Sequence, residues 1–96
     1  MAHIPEETIE RIKREASLAA EVERAGIALG RHGAKDLAGR CPFHSPDETP
    51  SLVVTPSTNL YHCFSCGAAG NVIQWVERVR GVGFREAALL LLDRSR

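Results

Sequence analysis

The chain has 96 residues and a formal net charge of zero, with 12 basic and 12 acidic side chains. That size fits one small domain, and 44% hydrophobic with 25% charged residues excludes wholesale disorder. Three cysteines are an odd number for a secreted disulfide framework. No basic-then-apolar leader precedes them, and no apolar run reaches the roughly 18 residues of a membrane span, so a soluble, cytoplasmic protein is expected.

The charge is unevenly spread. Residues 1–23 sum to −3 and residues 24–40 to +3, the latter through Arg24, Arg31, Lys35 and Arg40 against Asp36. A local basic face is therefore compatible with a neutral total.

Pro5, Glu6 and Glu7 suit a helix start, and Ile9, Ile12 and Ala16 recur near helical spacing. The pattern predicts a helix over residues 5–15 and a shorter one ending near Gly26. Gly30, Gly33 and Gly39 then divide the chain into extended pieces over 27–29 and 35–40. Residues 51–55 and 59–63, separated by Pro56-Ser57-Thr58, read as a β-hairpin. Asn71 is a suitable N-cap for a helix with Val72, Ile73, Val76 and Val79 on one stripe and Trp75 beside it. Gly81 and Gly83 end that helix. A last one, over 84–93, is expected to present Phe84, Ala87, Ala88 and Leu91 as its apolar face.

Two chelating pairs carry the chemistry, Cys41-Pro42-Phe43-His44 and Cys63-Phe64-Ser65-Cys66. Each sets two ligands three positions apart, where a tight turn brings both onto one ion. The 18 residues between His44 and Cys63 accommodate the hairpin that would join the pairs. Cys41, His44, Cys63 and Cys66 make a closed tetrahedral set suited to one structural Zn²⁺, with no open position for catalysis. A redox Cys-x-x-Cys is disfavoured, because a hairpin precedes the motif and Gly67-Ala68-Ala69-Gly70 separates it from the helix. His62, adjacent to Cys63 on a strand, points to the opposite face and is not expected to bind the metal. His3 and His32 read as solvated.

Cys-Pro-Phe-His at 41–44, Thr-Pro-Ser-Leu at 49–52, Tyr-His-Cys-Phe-Ser-Cys-Gly at 61–67 and Gly-Asn-Val-Ile at 70–73 resemble the N-terminal zinc-binding domain of bacterial DNA primases of the DnaG type. Ile4-Pro5 and Phe84-Arg85-Glu86-Ala87-Ala88 extend the likeness over nearly the whole chain. The resemblance implies an α+β fold: a small zinc ribbon whose antiparallel sheet is flanked by N- and C-terminal helices. Residues 1–96 would form one domain, with helices over 5–25, the ribbon over 27–69 and helices over 71–93. It also implies a module that binds single-stranded template DNA for primer synthesis. Its partners would be a separate polymerase domain, which holds the catalytic groups, and a replicative helicase. No catalytic residue is expected here, and the chain alone should make no primer.

Single-strand binding calls for cations along the backbone and aromatic faces for bases. Lys35 and Arg40, read as flanking the first chelating pair, and Tyr61 and His62 on the hairpin are the candidates, with Arg31 and Arg24 extending the face. Phe43, Phe64, Trp75 and Phe84 read as core, and Arg78, Arg80 and Arg85 as a solvated helical face. The acids Asp47 and Glu48 and the neutral total also suit a different function, a protein-docking module with little DNA contact. An exposed apolar patch on the final helices would favour it.

Overall fold

The computed structural model describes residues 4–43 and 50–94. Two helices open the chain, α1 (Glu6–Glu15) and α2 (Leu18–Arg24). Strands β1 (Gly30–His32), β2 (Asp36–Gly39), β3 (Leu52–Thr55), β4 (Leu60–Cys63) and β5 (Ala69–Asn71) follow, then α3 (Val72–Arg80) and α4 (Phe84–Arg94). The strands form one antiparallel sheet in sequence order, β1 to β5.

Local chemistry sets the helix ends. Ser17 caps α2 by accepting from the Ala20 N–H. Asn71 and Gln74 form a reciprocal capping box at the start of α3. Gly81, at φ 67°, closes α3 in the left-handed region that side chains with a Cβ resist.

The sheet has two unlike faces. Leu52, Val54, Tyr61 and Cys63 point inward and join Ile12, Leu18, Val22, Ile73, Trp75, Val76 and Leu91 in the core. α3 lies at the centre of the helical layer, packed against α1, α2, α4 and β5. Val79 and Phe84, expected on apolar stripes, are instead exposed at 38% and 43%. The buried stripe of α3 is narrower, made by Val72, Ile73, Trp75 and Val76.

Two strands differ from expectation. Residues 27–29 do not pair; they cross over β2, and the strand begins at Gly30. The crossing explains Gly39, where an added Cβ would fall 2.8 Å from Ile27 Cγ2 and 2.9 Å from the Ala28 carbonyl oxygen. β5 runs through Ala69 and Gly70, which have poor strand propensity, and pairs with β4 through its backbone.

One polar residue is central to the packing. Asn59, at φ 59° in the β3–β4 turn, is buried and accepts from the Leu18 N–H through Oδ1 at 2.9 Å. Its Nδ2 donates to the carbonyls of Lys13 and Ala16. The hairpin turn is thereby pinned to the junction between α1 and α2.

Candidate metal centre and its sheet surface

The sheet register assembles the sulfur cluster. Gly39 lies opposite Leu52, and Leu52 opposite Cys63. The chain leaving β2 therefore reaches Cys41 at the same sheet end where β4 delivers Cys63. The turn after β4 returns Cys66 to this point. It is closed by Gly67 N–H to the Cys63 carbonyl at 2.9 Å and Cys63 N–H to the Ala68 carbonyl at 2.7 Å. Gly67 holds φ 78°, as such a turn requires.

The sulfurs of Cys41, Cys63 and Cys66 all lie within 4.8 Å of one another. Cys41 Sγ and Cys66 Sγ are 3.8 Å apart. A tetrahedral Zn²⁺ with Zn–S bonds near 2.3 Å sets its sulfurs about 3.8 Å apart, so the spacing fits that ion. His44, expected as the fourth ligand, lies outside the described residues, as do Asp47 and Glu48.

The electrostatics of the thiols also suit a cation. Burial pushes the Cys41 thiol up to about 12, with the neighbouring Cys63 and Cys66 sulfurs adding to the rise. Burial acts to raise Cys63 too, but hydrogen bonds from Ser51 and the backbone N–H groups of Cys66 and Ser65 outweigh it and bring Cys63 down to about 6. Three clustered sulfurs cannot all be thiolates at neutral pH without a positive charge among them. A divalent metal supplies that charge and displaces the protons.

Next to this cluster, Phe43 packs edge-on to Trp75 at 5.1 Å and near Tyr61 at 6.1 Å. The Arg78 guanidinium sits 4.2 Å from the centroid of the Phe43 ring, a cation–π contact. Arg78 is thus engaged by the core's aromatic edge as well as solvated.

The expected nucleic-acid contacts do not form the single face anticipated. Tyr61 is only 2% exposed, packed edge-on against Trp75 at 5.2 Å. Its place on β4, two residues from the buried Cys63, turns it inward, and it cannot stack on a base. Its hydroxyl finds no hydrogen-bond partner among the described residues. Phe64, expected in the core, is 68% exposed. It forms an edge-on pair with exposed His62 at 4.6 Å. His62 faces outward, opposite Val53 and Ala69 in register. With Leu60, this pair borders a hollow of about 440 Å³ on the outer sheet surface.

Arg40 and Arg31, with His32, line a second trough of about 680 Å³ between residues 26–32 and β2. Lys35 lies in the β1–β2 turn, not beside the metal end. It stands six residues before Cys41, roughly 20 Å of extended chain. Arg24 is on the helical side, 3.6 Å from Glu21, which also pairs with Arg94. Among the described residues, no helix is long and apolar enough to cross a membrane.

The family model described as CHC2 zinc finger matches residues 4–96. A DNA primase of Geobacillus stearothermophilus is 43% identical over 96 residues, and one of Halalkalibacterium halodurans is 41% identical over 92. These alignments cover 99% and 96% of this chain but 16% and 15% of the two relatives. The chain thus spans about one sixth of their length. The crystal structure of the Aquifex aeolicus primase, comprising zinc binding and RNA polymerase domains, superimposes with a TM-score of 0.81 at 34% identity. That match covers 91% of this chain and 21% of the other.

Proposed function

The chain belongs to the CHC2 zinc finger family, and we propose that it is the zinc-carrying, single-strand-binding module of a DNA primase. Cys41, Cys63 and Cys66 hold the structural zinc, with His44 as fourth ligand. The bound ion cross-links the end of β2 to the turn after β4. A closed ligand set leaves no position for an activated water, so the ion serves architecture.

The observation that carries the reading is the outward His62–Phe64 pair, 4.6 Å apart, on the segment that also supplies two of the three clustered sulfurs. An exposed aromatic at the end of a sheet strand offers a π-face to any base, and flanking cations hold the backbone. Arg40 and Arg31 are the flanking cations, and Lys35 contacts only a strand that extends to the β1–β2 turn. Template selection is then the work of this module, and primer synthesis that of an RNA polymerase domain in the same protein. The test is titration of labelled single strands at low salt against zinc-loaded chain. Micromolar or tighter binding that weakens with salt supports the reading, and absence of binding with zinc in place refutes it.

A second reading has its own observation. Val79, Phe84 and Leu89 on α3 and α4 are exposed at 38%, 43% and 42%, large apolar side chains left uncovered on the helices where a polymerase domain or helicase would dock. It becomes the better reading if single strands fail to bind the zinc-loaded chain.

A further inference from the structure

We propose that Asp36 reads a base on the outer sheet surface, selecting one with an exocyclic amino group, guanine foremost, over thymine. The selection rests on the single-strand binding proposed above and adds to it a residue and a base edge.

Strand alternation places Asp36 on that surface. Leu37, next to it on β2, packs against the core opposite the fully buried Val54. Asp36 and Ala38 therefore point the other way, and Ala38 is in register with Val53, itself opposite the outward His62. Asp36 lines the hollow of about 440 Å³ together with Thr55, Leu60, His62 and Phe64. It is the only acid among the described residues of that lining. Val53 and Ala69, the register partners of His62, keep the floor low, which leaves room for a planar ring.

The carboxylate is half-buried and uncommitted. Among the described residues it forms no ion pair or side-chain hydrogen bond, although His32 is its register partner on β1 and Lys35 precedes it. A carboxylate repels the phosphates of a bound strand, so on a strand-binding surface it can contribute only through the bases. It offers acceptors alone. Guanine answers with two adjacent donors, N1–H and the N2 amino group, which match both oxygens at once. Cytosine and adenine offer one amino group each. Thymine presents a single N–H flanked by carbonyl oxygens, which the carboxylate repels. β2 lies two strand spacings from β4, roughly 10 Å. The base that Asp36 meets is therefore a neighbour of the one stacked on Phe64, and the two contacts are separable.

Fluorescence anisotropy of the zinc-loaded chain tests the assignment, with labelled oligothymidylates unaltered or carrying one central guanine, cytosine or adenine. The guanine strand should bind about fivefold tighter or more than the all-thymine strand, with cytosine and adenine between them. In Asp36→Asn the guanine advantage should disappear, because asparagine matches the paired donor and acceptor of adenine and cytosine instead. The all-thymine strand should bind that variant at least as well as the parent, since a negative charge has left the surface. Phe64→Ala should weaken all four strands without changing their order. No preference for guanine over thymine, or a preference unchanged in Asp36→Asn, would overturn the assignment and leave single-strand binding standing. Failure of every strand to bind the zinc-loaded chain would overturn single-strand binding and the assignment with it.

Discussion

Replacing Phe64 and Tyr61 in turn separates surface from core within four residues of chain, at the end of β4. Phe64 is 68% exposed, so about a third of a ring worth roughly 200 Å² is buried. At about 25 cal/mol per Å² that is roughly 1.6 kcal/mol of stability for Phe64→Ala, a fall in Tm of about 6–13 °C for a domain of this size. Loss of a stacked base costs about 1–3 kcal/mol of binding, which is about 5- to 150-fold in Kd. Tyr61→Ala does the reverse. Removing a ring that is 2% exposed costs about 3–5 kcal/mol of stability, whereas Tyr61→Phe keeps the ring in place and should bind single strands as the parent does. Fluorescence anisotropy with a labelled single strand at low salt, run beside thermal melts at fixed free zinc, reads both quantities. If Phe64→Ala binds normally, or Tyr61→Phe loses binding while folded, the assignment of the outer face is wrong.

Asn59→Ala should cost about 3–5 kcal/mol in urea unfolding, because it orphans the buried Leu18 N–H and forces alanine to a positive φ. Asn59→Gly should recover about 1 kcal/mol of that by relieving the backbone alone. Gly39→Val should destabilise by more than 1 kcal/mol, since Ile27 and the Ala28 carbonyl occupy the space, whereas Gly30→Ala should be nearly neutral in thermal melts. Zinc affinity should strengthen with rising pH by about tenfold or more per unit between pH 6 and 8. The sign follows from Cys41, whose thiol, pushed up to about 12 in the metal-free cluster, must surrender a proton to the metal. Competition with a chromophoric chelator measures this, and a pH-independent affinity would count against Cys41 as a ligand.

Much of this architecture was legible in residue order. The three cysteines of the two chelating motifs, the hairpin between those motifs and the Asn71 cap are local signals, and each reads directly. The misassigned residues follow from one rule applied unevenly. Alternation along β4 correctly turns His62 away from the face of Cys63; the same alternation puts Tyr61 on that inner face and, continued one residue past the strand, carries Phe64 outward with His62. Aromatic character alone gives no such direction. Residues 27–29 carry two strand-prone residues, Ile27 and Leu29, yet they pack over Gly39 instead of pairing, and only the glycine hints at the crossing. β5 has no side-chain signal, because its ladder is made by the backbone of Ala69 and Gly70. Asn59 looks like an ordinary turn residue; its partners are more than 40 positions away.

The sharpest test of the account is native mass spectrometry of the parent chain and Cys66→Ser, paired with single-strand affinity before and after chelation. Cys66 is exposed, so its replacement disturbs packing least. One zinc per parent chain is expected, with metal and single-strand binding lost together in Cys66→Ser and on chelation. Absence of zinc from the parent, or single-strand binding that persists unchanged without the metal, would contradict the claim that the sulfur cluster organises the binding face.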